Sequence, residues 1–167
     1  PLPTCSAKVD YEAELVLVIG RTTWQVSEAE AAESIFGYTC GHDVSARDWQ
    51  IGRPGGQWLL GKSFPNFAPV GPVLVPRQYI ADASNLAISL RINGEIFQQS
   101  STQQLIFSPA QLISYLSQCC VLEPGDLIFT GTPPGVGTAR KPPRFLHSGD
   151  VCEVEVEGIG VLRNRFE

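Results

Sequence analysis

Apolar and polar positions along the chain alternate in short stretches, and that two-residue period predicts strands far more often than helices. From Tyr11 to Ile19 the sequence Tyr-Glu-Ala-Glu-Leu-Val-Leu-Val-Ile sets Glu12, Glu14, Val16 and Val18 on one face and Ala13, Leu15, Leu17 and Ile19 on the other. Past the second glutamate both faces are apolar, so this strand is expected to lie buried in the middle of a sheet. Further strands are predicted over Tyr38 to Val44, Val70 to Val75, Asp126 to Thr130, Asp150 to Val156 and Val161 to Phe166. Leu86 to Ile92 and Glu95 to Gln99 flank Asn93-Gly94, a pair suited to the type I′ turn of a hairpin. Two helices interrupt the pattern. Ser27 and Glu30 form a capping box for a helix that stops near Gly37, and Ser108-Pro109 with Gln111 opens a second that ends near Cys120. Short strands, 16 glycines and 13 prolines favour a β-rich mixed α/β domain, a barrel or rolled sandwich with peripheral helices.

Composition narrows the function classes. With 43% hydrophobic and 17% charged residues in 167, the chain reads as one folded domain, 1–167, able to bury a core. A net charge of −5 argues against nucleic acid or an anionic membrane surface as partner. No apolar run approaches the roughly 20 residues of a membrane helix. The five cysteines, odd in number and without metal-ligand spacing, read as buried free thiols of a reducing compartment rather than a disulfide framework. The chain has no methionine, even at position 1, and no basic and apolar leader. It is therefore expected to be trimmed at its start or to be part of a longer protein.

Two acids at the head of a buried strand are costly unless a cation accompanies them or the strand's start lies in water. Spacing alone leaves both readings of Glu12 and Glu14 open. Asp43, in the polar stretch Gly-His-Asp-Val-Ser-Ala-Arg-Asp-Trp-Gln, strengthens the first. Three carboxylates without a softer ligand suit Mg2+, Mn2+ or Ca2+, with positions left for water or substrate oxygens. Strand alternation turns His42 away from Asp43, so it is read as structural or supporting. Arg47 could fork a substrate carboxylate, Gln50 could donate to it, and Lys62 could meet developing negative charge. For any of these alone a surface salt bridge is the plainer reading. The loop Thr130-Gly131-Thr132-Pro133-Pro134-Gly135-Val136-Gly137 lacks both the P-loop and the dinucleotide spacing, which argues against nucleotide binding. It could cradle a carboxylate instead, with Thr132 assisting. Only two histidines and no nucleophile elbow make a serine or cysteine hydrolase a weak reading.

Taken in order, these motifs resemble the fumarylacetoacetate hydrolase family. The matching pieces are Asp-Tyr-Glu-Ala-Glu-Leu at 10–15, His-Asp-Val-Ser-Ala-Arg-Asp-Trp-Gln at 42–50, Leu-Gly-Lys-Ser-Phe at 60–64, Arg-Ile-Asn-Gly-Glu at 91–95, Pro-Gly-Asp-Leu-Ile-Phe-Thr-Gly-Thr-Pro-Pro-Gly-Val-Gly at 124–137 and Gly-Ile-Gly-Val-Leu at 158–162. Gln57 to Lys62 and Arg140 to Pro143 are similar to the domain-containing protein 2 group of that family. The resemblance implies a rolled β-sheet barrel with peripheral helices, usually as a homodimer. It implies Glu12, Glu14 and Asp43 as ligands of Mg2+ or a similar ion. It implies Arg47, Gln50 and Lys62 along a metal-bound substrate, and Thr132 at the substrate's acid end. The expected chemistry is C–C bond hydrolysis, decarboxylation or keto–enol tautomerisation of a small 2-oxo or 1,3-dicarbonyl acid such as an acylpyruvate or oxaloacetate. The expected compartment is the cytoplasm or mitochondrial matrix, not the cell exterior. Family members carry a longer N-terminal region contributing a lid with a histidine–glutamate base, whereas here eleven residues, none of them histidine, precede Glu12. That departure leaves a second reading, a catalytically silent metal-binding subunit or fragment. A carbohydrate- or calcium-binding β module is a third.

Overall fold

In the computed structural model, which describes residues 1–167, a short strand β1 (Val9–Asp10) leads into β2 (Ala13–Ile19), all seven of whose residues are buried. A one-turn helix α1 (Glu28–Ala31) and a 3-10 turn, Ala32–Ser34, lead to β3 (Ile35–His42). After β4 (Ser45–Ala46) come two short helices, α2 (Arg47–Gln50) and α3 (Trp58–Lys62), and then strand β5 (Val70–Pro76). The hairpin of β6 (Ala87–Ile92) and β7 (Glu95–Ser101) is followed by helix α4 (Pro109–Cys119). Strands β8 (Leu127–Phe129), β9 (Val151–Val156) and β10 (Gly160–Arg165) complete the fold.

One four-stranded sheet runs β5-β3-β2-β8 and a second β10-β9-β6-β7, while β1 and β4 form a two-stranded ribbon. Every ladder is antiparallel. A single apolar core joins the two sheets, with Leu15 and Leu17 from the first and Leu90 and Val154 from the second. As its pattern requires, β2 is an inner strand.

The expected closed barrel does not form. Both sheets are open, one ending on β5 and β8 and the other on β10 and β7. Closure needs a hydrogen-bonded ladder between every pair of neighbours. Leu162 and Gly160 of β10 lie against Gly71 and Pro72 of β5, but Pro72 and Pro76 have no N–H to donate to a new partner. β8, with three residues, offers little edge at the other side. Alternation reveals strands but not which edges pair, hence the correction. The class remains β-rich mixed α/β with helices at the periphery.

Two smaller expectations also change. The Ser27–Glu30 capping box is present, yet the helical segment ends at Ser34 because β3 begins at Ile35 and pairs with Ile19. Gly37 is not a helix stop but a close approach within the sheet, where an added Cβ would lie 2.3 Å from Val75 O. Of the five free thiols only Cys40 and Cys152 are buried, while Cys5, Cys119 and Cys120 are exposed.

Candidate metal centre

The site forms where β2 and β3 present their ends side by side. Ala13 pairs with His42 in that ladder, and Asp43 N–H donates to Glu12 O at 2.9 Å, which brings the acids before and within β2 next to the one just after β3. Glu12, Glu14 and Asp43 each offer an oxygen, and these atoms all lie within 4.8 Å of one another. Glu12 is 8% and Glu14 3% exposed.

Two cations stand against them, both delivered by the short helices. From the end of α3, Lys62 Nζ donates to Glu12 Oε2 at 3.1 Å, to Ser45 Oγ at 2.9 Å, and to Asp43 Oδ2. From the start of α2, the Arg47 guanidinium reaches Asp10 Oδ2 at 2.9 Å, Glu12 Oε1 at 2.5 Å and Gln50 Oε1 at 2.7 Å. Burial opposes the Lys62 charge, but Glu12 and Asp43 outweigh it and hold its pKa above the ordinary value. Asp43 is pushed up by burial, with Lys62 acting against that rise.

Glu14 has no cationic partner among these pairs. Its Oε2 accepts the Gly131 N–H at 2.6 Å, and burial, followed by the Asp43 charge, pushes its pKa up to about 8. An unpaired buried carboxylate facing two others has the chemistry of a divalent-cation site, because a hard ion would offset both burial and repulsion. The residues therefore fit a group such as Mg2+.

A cleft of about 940 Å³ opens over the site. Glu12, Arg47, Gln50, Lys62 and Thr132 line one part of it, and apolar Leu105, Ile106 and Phe107 another. The Thr132 hydroxyl donates to Ala13 O at 3.0 Å and accepts from Gln98 Nε2 at 2.8 Å. His42 lies away from the carboxylates, its Nδ1 3.4 Å from Asn164 Oδ1 and its ring edge-on to Phe166. Burial lowers its pKa to about 4.

The whole chain, residues 1–167, matches the model of the fumarylacetoacetate (FAA) hydrolase C-terminal family. The chain belongs to this family. It is 51% identical over 164 residues to a mitochondrial oxaloacetate tautomerase of Bos taurus, FAHD2A, a match covering 98% of this chain and 52% of the relative. Among solved structures, the fumarylacetoacetate hydrolase of Exiguobacterium antarcticum superposes with a TM-score of 0.92 at 39% identity, over 98% of this chain and 58% of the other. Fumarylpyruvate hydrolase of Pseudomonas aeruginosa, in complex with Mn2+ and pyruvate, superposes at 0.87 with 38% identity, over 99% and 68%. The chain spans about half the length of the curated relatives it matches.

Within this family member, sequence reasoning assigned no role to three residues that build the site. Asp10 is fully buried and accepts N–H groups of Gly137 at 2.7 Å and Thr138 at 2.9 Å besides pairing with Arg47. Its signal was the unbroken alternation Asp10, Glu12, Glu14. Ser45 touches Lys62, and Gln98 reaches the loop from the second sheet; neither carried a local signal.

Proposed function

We propose that this chain is the metal-binding catalytic part of an enzyme acting on a small 2-oxo or 1,3-dicarbonyl acid. Glu12, Glu14 and Asp43 hold the ion, Mg2+ first and Mn2+ or Ca2+ as substitutes. A divalent ion held there would supply Lewis-acid polarisation of a carbonyl and stabilisation of developing negative charge. Lys62 adds a fixed ammonium at the same place, Arg47 and Gln50 form the wall beside it, and Thr132 faces the substrate's acid end. Arg47 and Lys62 are held by acids on several sides, so their charges are already placed before substrate arrives. Among hydrolysis, decarboxylation and keto–enol tautomerisation, tautomerisation of oxaloacetate has the support of the FAHD2A relatives' names, and acylpyruvates are the neighbouring class. Those names, which end in "mitochondrial", also support a mitochondrial compartment. We further propose a homodimer, supported by the exposed apolar side chains Val73 and Leu74 on edge strand β5; sedimentation at a single protomer mass of 18.1 kDa would exclude it.

The observation that carries the reading is the convergence of three carboxylates, of which Glu14 has no salt-bridge partner. Asp43→Ala is expected to abolish Mg2+-dependent turnover of oxaloacetate, measured by the ultraviolet absorbance of its enol. Undiminished turnover in that variant would sink the reading.

A further inference from the structure

Gln98 sits on β7, in the second sheet, yet its side chain ends between the carboxylate strand and the Thr130–Gly137 loop. It is 1% exposed. Its Oε1 accepts from Ala13 N at 2.9 Å, and its Nε2 donates to Thr132 Oγ1 at 2.8 Å and to Pro133 O at 2.7 Å. The backbone fixes which way the amide faces, since an N–H stands at one end and a carbonyl at the other. Because Nε2 can only donate, Thr132 Oγ1 must accept there, and its own proton goes to Ala13 O at 3.0 Å. The result is a closed ring through Ala13, Gln98 and Thr132, and Ala13 lies between Glu12 and Glu14.

This ring commits the Thr132 proton inside the protein. The neighbouring Gly131 N–H is likewise committed, to Glu14 Oε2. The N–H of Thr132 itself is taken by no group of the chain, and Thr132 lines the cleft. We propose that Gln98 is a positioning residue: it locks Thr132 so that the loop offers the substrate's carboxylate the Thr132 backbone N–H rather than its hydroxyl proton. A single turn then serves both halves of the site, Gly131 fixing a metal-side carboxylate and Thr132 meeting the substrate.

The test is a double-mutant cycle on the 167-residue chain with Mg2+ and oxaloacetate, using Gln98→Leu, Thr132→Val, their combination, and Thr132→Ser. Each of the first two is expected to raise KM about tenfold with kcat within about twofold, the signature of losing one well-aligned hydrogen bond to a charged group. Both break the same ring, so the double variant should be no worse than either single one, and Thr132→Ser, which keeps the hydroxyl, should recover most of the KM lost in Thr132→Val. Calorimetric Mg2+ affinity without substrate should be unchanged in Gln98→Leu, because the Ala13–His42 ladder still aligns the ligands. Parallel losses of Mg2+ affinity and kcat would overturn the proposal, leaving Gln98 as plain core support. Additive losses in the double variant would overturn it too, giving the Thr132 hydroxyl its own contact with substrate. If Gln98→Leu does not fold, Gln98→Met, of similar length and without the amide, takes its place in the cycle. The proposal rests on the functional reading above, and the two fail separately. A wild-type chain that binds Mg2+ but turns over no keto acid ends that reading. Amide exchange over 131–137 then decides the ring alone: faster exchange in both Gln98→Leu and Thr132→Val supports it, and unchanged exchange overturns it.

Discussion

Asp150 precedes β9 and accepts hydrogen bonds from Asn93 Nδ2 at 2.9 Å, Arg144 Nη2 at 2.7 Å and His147 N at 2.8 Å. Burial alone would raise its pKa, but these donors outweigh it and the net shift is downward. A carboxyl depressed in the folded state adds stability above its unfolded pKa of about 3.9, and that contribution fades as pH falls through the folded value. Wild type should therefore exceed Asp150→Asn in urea midpoint at pH 6, with the gap narrowing towards pH 3. A gap independent of pH would show that the ionised form is not what the three donors favour. The same residue scale explains what the sequence could reveal. Glu12 and Glu14 were legible because alternate spacing puts two acids on one face of an apolar strand, and Asp43 because its polar stretch follows a strand. Gln98 was not, since its partners Ala13 and Thr132 lie 85 and 34 positions away and no local pattern encodes such a meeting.

Elements with strong local chemistry followed their sequences closely. Asn93 and Gly94 adopt φ of 52° and 86°, the left-handed pair a type I′ turn demands, and the hairpin pairs Ile92 with Glu95. Helix α4 starts as its signals predict, with Ser108 Oγ accepting Gln111 N–H at 3.2 Å and Gln111 Oε1 accepting Ser108 N–H at 2.8 Å. Ser108→Ala removes one arm of that box and should lower stability by about 1 kcal/mol, read from the urea midpoint. No change would mean that the helix's packing against α1, not its cap, sets its end. Helices α2 and α3 escaped sequence reading because four or five residues are too few to show a helical period or to be stable alone. Tertiary bonds hold them instead, as in Ser6 Oγ donating to Asp48 Oδ1 at 2.6 Å. Those two helices deliver Arg47, Gln50 and Lys62, so the least legible elements carry three of the seven predicted site residues.

For the molecule as a whole, the open sheets and the acidic centre together make stability depend on what occupies the centre. The core joining the two sheets includes Leu15 and Leu17, on the same strand that carries Glu14. Whatever relieves the crowding of Glu12, Glu14 and Asp43 thus stabilises a strand on which both sheets depend. An ion that binds the folded chain and not the unfolded one adds about 2.7 kcal/mol at a hundredfold excess over its Kd. For a domain of this size that corresponds to a rise in Tm of roughly 5–10 °C. Thermal melts should show this rise with Mg2+ or Mn2+ and lose it in Asp43→Ala. Since Lys62 bridges Glu12 and Asp43, it competes with the ion for the same oxygens. A wild-type melt indifferent to both ions at millimolar concentration would mean that Lys62 alone neutralises the cluster, and that the three acids serve the fold instead of a metal.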